Sequence, residues 1–243
     1  MPRACIYCGS SAPAKGISHI VPESLGGPAS PVAPAGIVCD QCNQYFGQKV
    51  ESLALRSFPF NMVRLSLGIP SKKNKPFSMP YMLGTIRATG IPNQIGIDPK
   101  NEKIAAGFKR GEITRLIVLA EVTEPLAVCR MLLKIGLDLL GKHFYEVAVS
   151  DRVKAARTFA RQPARGQTWW FMLRSDPSEF LRYGADPGAP PFSAKVGEIG
   201  DDVLVLALEM PSASILIPLD SNIAPLSAED FPEPLFRIIR ATC

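Results

Sequence analysis

Four of the six cysteines stand in two closely spaced pairs, and their spacing suggests metal chemistry. Cys5 and Cys8 form one C-x-x-C pair, and Cys39 and Cys42 form the other. A tight turn of this spacing places two thiolates on one metal ion, and two such turns complete the tetrahedral sulfur set that zinc accepts. Unligated cysteines would produce both spacings only by coincidence. The sequence therefore predicts one structural zinc ion held by these four residues.

The segment between the two cysteine pairs contains His19, one of two histidines in the chain. Ile17, His19 and Val21 alternate with Ser18 and Ile20, a pattern that predicts a short strand. An imidazole can accept a proton near neutral pH, so His19 could act as a general base on water. A lone histidine in a strand is more often a core or surface residue, and its surroundings must decide between these roles.

A helix is predicted directly after the second cysteine pair, from near Asn43 to about Arg56. It should end before Pro59, because the residue that precedes a proline disfavours helical geometry. A proline-rich loop at residues 28–36 comes before the second pair. The order of elements is therefore strand, loop, cysteine pair and helix, with Asn43 at the start of the helix.

In this order and spacing, the N-terminal residues resemble the HNH endonuclease family in its four-cysteine bacterial branch. The segments that carry the resemblance are Cys5-Ile6-Tyr7-Cys8, His19-Ile20-Val21-Pro22-Glu23-Ser24-Leu25-Gly26-Gly27, Val38-Cys39-Asp40-Gln41-Cys42-Asn43, Phe46-Gly47 and Val50-Glu51. They cover about residues 3–55, less than a quarter of the chain. The resemblance implies a ββα-metal finger in which zinc holds the ends and a divalent cation lies between the histidine strand and the helix.

The resemblance also implies roles for His19 and Asn43. Hydrolysis of a phosphodiester requires an activated water, neutralised phosphate charge and a stabilised leaving oxygen. By the resemblance, His19 is the general base that activates the water. Asn43 matches the family's central asparagine, whose amide would fix the loop carrying His19 by hydrogen bonding to its backbone. An asparagine at this position could equally cap the helix, and the two roles are compatible.

Glu51 lies about 12 Å beyond Asn43 along the predicted helix, where the family places its last motif residue. The resemblance implies that its carboxylate binds the catalytic cation, and an oxygen ligand suits Mg²⁺ or Mn²⁺. The alternative is a solvated surface glutamate.

The position before His19 departs from the family pattern. That position is normally acidic or a second histidine and helps to hold the metal, but here it is Ser18. A neutral hydroxyl is a poor ligand for a hard divalent cation. Three consequences are open. Glu51 and the substrate phosphate could carry the coordination, Glu23 or Asp40 could substitute, or activity could be weak or lost.

Positive charge is concentrated directly after the cysteine-bearing unit. The chain has a net charge of +5, but it is unevenly distributed. The net charge is zero over residues 1–54, +8 over residues 55–110 and −3 over the remainder. Such asymmetry suits a phosphate backbone, although a solvated basic surface is the simpler alternative. Together with the resemblance to the HNH endonucleases, this distribution predicts nucleic acid as the partner, with DNA favoured over RNA. The predicted backbone-binding residues are Arg56, Arg64, Lys72, Lys73, Lys75 and Arg87.

The expected fold class is α+β, in three parts: a zinc-stabilised HNH finger (1–56), a basic proline-rich linker or arm (57–80) and a mixed α+β domain of unknown role (81–243). In the last part the patterns predict strands at 81–88, 92–97, 114–122 and 167–174, a hairpin of 203–209 with 213–218, a helix between Thr123 and Gly141, and a helix from Asp151 through Ala160. Arg130, Lys134 and Asp138 interrupt the apolar run of the first helix. No catalytic motif is recognisable in this part.

The composition favours a soluble, cytoplasmic protein without a membrane partner. Hydrophobic residues make up 47% of the chain, no apolar run resembles a signal peptide, and none reaches the roughly 18–20 residues of a membrane span. The leading hypothesis is a metal-dependent DNA endonuclease. The alternatives are a non-catalytic zinc-stabilised nucleic-acid-binding protein, and an interaction protein whose C-terminal domain binds a partner.

Overall fold

The N-terminal part of the chain is mainly helical. A computed structural model describes residues 3–26, 30–70, 75–92, 94–115, 121–175, 192–200, 202–211, 213–220 and 236–243. Its first helices are α1 (Glu23–Gly26), α2 (Asp40–Phe46), α3 (Ser52–Ala54) and α4 (Phe60–Leu67). A π-helical turn, Gly47–Glu51, joins α2 to α3, so the chain is helical from residue 40 to residue 54.

The helix predicted after the second cysteine pair is present, but it begins earlier than expected. α2 starts at Asp40 with Cys39 as its N-cap residue, because the second cysteine pair is itself part of the helix start. Asn43 therefore lies inside the helix, and the interpretation of Asn43 as a helix cap is wrong. The strand expected around His19 is reduced to one antiparallel bridge with Val32.

The predicted extended arm at residues 57–80 contains the packed helix α4, so that prediction is wrong for residues 60–67. Phe60, Val63 and Leu67 are buried at a spacing that places them on one helical face. Pro59 and Pro70 flank α4 without interrupting it, so the prolines of this stretch did not justify the prediction of a linker or extended arm.

A small antiparallel sheet follows α4. It consists of β1 (Ser78–Tyr81), β2 (Gly84–Ala88) and β3 (Ile95–Pro99), paired in that order. The two strands predicted here are confirmed as β2 and β3, whereas β1 was not predicted. Helix α5 (Glu102–Lys109) comes next. The strand expected at 114–122 lies mostly at residues 116–120, outside the described residues.

The C-terminal part combines helices with a five-stranded antiparallel sheet. Its elements are α6 (Pro125–His143), α7 (Tyr145–Val149), a 3₁₀ turn (Asp151–Val153), α8 (Lys154–Arg161), β4 (Thr168–Ser175), β5 (Ser193–Ile199), β6 (Val203–Met210), β7 (Ala213–Pro218) and β8 (Phe236–Thr242). The strand order is β5-β6-β7-β4-β8. The α+β class, both predicted helices, the strand at 167–174 and the hairpin are confirmed. Gly141 lies inside α6 and not beyond its end, so that detail is wrong.

Helix α6 lies between the N-terminal helices and the large sheet, and 14 of its 19 residues are buried. At two glycines of α6, a neighbouring side chain comes so close to the helix backbone that a Cβ atom would clash with it. A Cβ on Gly136 would come within 2.7 Å of Leu219, and one on Gly141 within 2.6 Å of Ile37. One hydrophobic core includes residues from both sides of α6, such as Phe46. The finger therefore shares its core with the C-terminal elements.

None of the helices in the described part of the chain is both long enough and apolar enough to cross a membrane.

Candidate active site

The four paired cysteines come together as predicted. Their sulfur atoms all lie within 4.8 Å of one another. The edge of a tetrahedron with Zn–S bonds of about 2.3 Å is about 3.8 Å, so this cluster has the dimensions of a zinc site. Cys8 is exposed, whereas Cys5, Cys39 and Cys42 are buried. The donor set and its spacing fit a structural zinc ion.

Local structure acts differently on the thiols of this cluster. Cys39 is the N-cap residue of α2 and Cys42 lies in its first turn, where the helix dipole stabilises negative charge. A hydrogen bond from the Cys42 thiol lowers the pKa of Cys5 to about 4. Hydrogen bonding to Cys5 and burial raise the pKa of Cys42, and burial raises the pKa of Cys8, so zinc binding itself must displace the protons of these two thiols. Zinc would then join the first cysteine turn to the start of α2.

Beside the cysteine cluster, the segment around His19, helix α1 and the π-helical turn enclose an open cleft of about 490 Å³. Four of the predicted site residues line it, namely His19, Asn43, Glu51 and Arg64. Glu23, considered as a substitute ligand for Ser18, also lines it. The fold thus brings together residues that are up to 45 positions apart in the chain.

His19 presents one ring nitrogen towards an acidic neighbour. Its Nε2 lies 4.0 Å from a carboxylate oxygen of Glu23, which is beyond hydrogen-bonding distance. Its Nδ1 is buried and has no hydrogen-bond partner among the residues that the structure describes. A buried polar atom without a partner costs free energy, so this ring nitrogen adds nothing to the stability of the fold.

The first turn of α2 holds the segment that leads into His19. The Asn43 side chain donates a hydrogen bond from Nδ2 to the carbonyl oxygen of Ile17 at 3.0 Å. The Asp40 carboxylate accepts hydrogen bonds from the backbone N–H groups of Lys15 at 2.9 Å and Gly16 at 2.8 Å. These bonds lower the pKa of Asp40. Asp40 is thus engaged in the loop and does not line the cleft, which argues against it as a substitute ligand.

Ser18 contributes no donor to the cleft. Its side chain is only 6% exposed, and its hydroxyl is buried without a hydrogen-bond partner in the described part of the chain. Its backbone carbonyl accepts a hydrogen bond from Ala33, which fixes the strand-like pairing beside the His19–Val32 bridge. The position that would normally supply a metal ligand is therefore a core position here.

Glu51 lies at the cleft but already has a cationic partner. One of its carboxylate oxygens is 3.2 Å from the Nζ of Lys134. Glu51 ends the π-helical turn, and such turns, in which a helix is locally widened, frequently occur at functional sites. Within the described ranges, the cysteine cluster is the single group of three or more metal-binding side chains with closely spaced donor atoms. Glu51, Glu23 and His19 do not form a second such group.

Arg64 is the basic residue that reaches the cleft. Its guanidinium lies over the ring of Phe77 at 4.1 Å and makes a long hydrogen bond to the carbonyl of Leu55, at 3.4 Å. Its Nε is buried and lacks a partner in the described structure. Burial, together with the charge of Arg56, lowers the pKa of Arg64 to about 10, so it remains a cation at neutral pH.

Of the other basic residues predicted to bind nucleic acid, the three that the structure describes lie outside the cleft. Arg56, Lys75 and Arg87 are exposed. Arg87 forms an ion pair with Asp98 at 3.0 Å, which neutralises part of its charge. Lys72 and Lys73 fall at residues 71–74, outside the described residues.

Sequence reasoning missed a buried polar group behind the cleft, centred on Lys134 and Asp138 of α6. Tyr7 donates a hydrogen bond to Asp138 at 2.8 Å, and Lys134 forms an ion pair with Asp138 at 3.2 Å. Burial raises the pKa of Asp138 to about 6, in spite of the neighbouring Lys134. A signal was present, because Arg130, Lys134 and Asp138 recur every four residues in an otherwise apolar helix and therefore share one face.

Taken together, the N-terminal part is a finger with a four-cysteine metal-binding cluster, and it places a histidine, an asparagine and a glutamate at one cleft. Residues 5–59 match a family model described as HNH endonuclease. The match covers less than a quarter of the chain and contains all four clustered cysteines, His19, Asn43 and Glu51. The resemblance seen in the sequence is confirmed for this domain, and the family implies a nuclease that acts on nucleic acid. Neither the curated proteins nor the solved structures yielded a significant match.

Proposed function

We propose that this protein is a metal-dependent endonuclease that hydrolyses phosphodiester bonds in DNA. The observation that carries the proposal is the cleft, where His19, Asn43 and Glu51 of the HNH-matched segment meet Arg64. This combination supplies a general base, a residue that holds the segment of that base, a carboxylate and a cation for the phosphate. These are the groups that hydrolysis of a phosphodiester requires.

In this proposal His19 activates the attacking water. Its Nε2 accepts the proton, because Nδ1 is buried and Nε2 is the ring nitrogen left for a water in the cleft. Asn43 keeps the segment leading to His19 in place through its hydrogen bond to Ile17.

The carboxylates of Glu51 and Glu23 would hold the divalent cation, together with the substrate phosphate. Both side chains line the cleft, and their oxygens suit Mg²⁺ or Mn²⁺. When bound, the cation supplies charge neutralisation at the phosphate. Ser18 adds no ligand, and Lys134 occupies one oxygen of Glu51, so the chain supplies few ligands and the substrate must supply others.

Arg64 contacts the phosphate within the cleft, and the more exposed basic residues hold the flanking backbone. The guanidinium of Arg64 is held against Phe77, which restricts its motion before DNA binds. Phosphate contacts of this kind position a protein on DNA without reading its sequence. The flanking contacts are assigned to Arg56, Lys72, Lys73, Lys75 and Arg87.

The second candidate is a zinc-stabilised nucleic-acid-binding protein without catalytic activity. The specific observations that favour it are the buried hydroxyl of Ser18 and the ion pair between Glu51 and Lys134. Both reduce the number of ligands available to a catalytic cation. The two candidates share the cysteine cluster and the basic residues, so they differ only in whether DNA is cut.

Conversion of supercoiled plasmid to nicked and linear DNA, with Mg²⁺ or Mn²⁺, tests the proposal. His19→Ala should reduce the rate by about 100- to 10,000-fold, the usual contribution of a general base. His143→Ala is the matched control, because His143 is exposed at the end of α6 and should leave the rate unchanged. Cleavage by His19→Ala at the wild-type rate would contradict the assignment. Salt-sensitive DNA binding without cleavage would support the second candidate, and absence of binding at low salt would exclude both.

A further inference from the structure

Lys134 is a buried cation that reaches the back of the cleft from α6. Its side chain is only 1% exposed, and its Nζ donates hydrogen bonds to the backbone carbonyls of His19 and of Ile20, the latter at 3.1 Å. The same Nζ lies 3.2 Å from both Glu51 and Asp138. Four oxygens therefore surround an ammonium group that has three protons to donate.

These four oxygens belong to different parts of the fold. Two are carbonyls of the segment that carries His19, one belongs to Glu51 at the end of the π-helical turn, and one belongs to Asp138 in the next turn of α6. Asp138 in turn accepts the hydrogen bond of Tyr7, which stands between the two cysteines of the first pair. The Lys134 side chain thus contacts the segment that carries His19 and the π-helical turn directly, and it is linked to the first cysteine turn through Asp138.

Lys134 has no route to a substrate. Its ammonium group is enclosed, and Lys134 does not line the cleft, so it cannot contact a phosphate or transfer a proton to one. A lysine is seldom buried unless it is paired, and its removal would leave two carboxylates and two carbonyls without their partner. Its effect on the cleft must therefore act through His19 and Glu51.

We propose that Lys134 is a positioning residue of the nuclease cleft, supplied from outside the family-matched segment 5–59. It fixes the distance between the backbone of His19 and the carboxylate of Glu51, which otherwise belong to separate elements. The expected effect of Lys134 on kcat rests on the proposed nuclease function, whereas its effect on the position of His19 relative to Glu51 does not.

The test compares Lys134→Met with Arg130→Met in the full-length protein. Arg130 is a buried cation one turn earlier on α6, and it bonds to Tyr45 and to the carbonyls of Ala160 and Arg161, none of which lines the cleft. Both variants should melt at lower temperature. At a temperature where zinc content and circular dichroism show folded protein, Lys134→Met should lower kcat about 100-fold with little change in KM, because misplacement by about 1 Å has effects of that size. Arg130→Met should retain the wild-type kcat.

A second readout does not depend on activity. The chain has two histidines, so the imidazole proton resonances report on His19 in the cleft and on exposed His143 as an internal reference. Lys134→Met should move the His19 resonance and leave that of His143 in place, whereas Arg130→Met should move neither. If the wild type does not cleave DNA, the proposed function fails, but this comparison still decides the positioning role.

The double variant Lys134→Met with Asp138→Leu covers the case in which the single variant does not fold. It removes both fully buried charges at once, so that Glu51, which is 18% exposed, can turn to water. The same loss of kcat and the same His19 shift are expected. A wild-type kcat and an unmoved His19 resonance in folded protein, with either variant, would overturn the proposal.

Discussion

The cysteine cluster and the His19 cleft arise from the same short N-terminal segment, yet they depend on the rest of the chain to different degrees. The cluster is complete within residues 5–42, and its four sulfur atoms lie within 4.8 Å of one another. The cleft begins with His19, Asn43 and Glu51, but Arg64 completes its wall and Lys134 supports it from behind. The two sites therefore differ in how much of the fold must be present before they exist.

The difference follows from what each site needs. Zinc itself organises four thiolates, and two tight turns bring them close with little help from other elements. A cleft must hold side chains apart around open space, and only packed neighbours can do so. The zinc site should therefore tolerate changes in the C-terminal part that the cleft does not. The predictions below test this contrast, beginning with the largest expected effect.

Loss of one zinc ligand should have the largest effect. Cys39→Ser should abolish zinc binding and unfold the finger, since structural zinc contributes about 10–16 kcal/mol in small zinc domains. Metal analysis by mass spectrometry should give about one zinc per wild-type chain, as four sulfur ligands predict, and none for this variant. Cys243→Ser is the control, because Cys243 is exposed at the end of the chain and outside the cluster. Stoichiometric zinc in the Cys39→Ser protein would show that the cluster is not the zinc site.

A change in the shared core should destabilise the finger and the large sheet together. Phe46 is fully buried and contacts Tyr7, with ring centroids 4.7 Å apart, so Phe46→Ala should lower the free energy of unfolding by about 3–5 kcal/mol. Zinc release reports on the finger. Fluorescence of Trp169 and Trp170 reports on β4.

Because one core spans both regions, zinc release and the loss of the tryptophan signal should occur in one transition, shifted equally in Phe46→Ala. Phe144→Ala serves as the control, because Phe144 is 61% exposed and should change stability little. Two separate transitions in the wild type would mean that the finger unfolds independently of the large sheet, and they would contradict the single shared core.

Removal of the arginine in the cleft should weaken DNA binding more than removal of a paired arginine on the surface. Arg64→Ala should reduce affinity by about tenfold and lower the slope of log affinity against log salt by about one, as expected for one phosphate contact. Arg87→Ala should have a smaller effect on both, because Arg87 already forms an ion pair with Asp98. Fluorescence anisotropy across a salt series measures both quantities. Equal effects from the two variants would argue against a phosphate site at Arg64.

The parts of this molecule that could be predicted from sequence are those fixed by local spacing. The cysteine pairs, the apolar helix α6 and the hairpin of β6 and β7 follow from short-range patterns, whereas the grouping of His19 with Asn43 was implied by the resemblance to the HNH family. Helix α4 was missed because prolines at its ends were counted against it. Lys134 was missed as a site residue because it lies more than a hundred positions after His19, and only tertiary packing brings the two together.

The smallest expected effect on stability is at Asn43. Its side chain could either cap the helix or hold the segment that leads to His19. As a helix cap, it could be replaced by aspartate at little cost, because both residues cap well. In the structure Asn43 lies inside α2 and donates a hydrogen bond to the carbonyl oxygen of Ile17. An aspartate cannot donate this bond and would place a negative charge against that oxygen.

Asn43→Asp and Asn43→Ala should therefore both destabilise the protein, each by about 0.5–1.5 kcal/mol, the usual net contribution of one hydrogen bond. Both should also slow plasmid nicking, because the segment that carries His19 loses its attachment to α2. Thermal unfolding and nicking rates measure the two effects, and zinc content should remain unchanged because Asn43 is not a ligand. If Asn43→Asp matched the wild type in both measurements, the donated hydrogen bond would have no role, and the bonds from Asp40, Lys134 and Ala33 would suffice to hold the His19 segment.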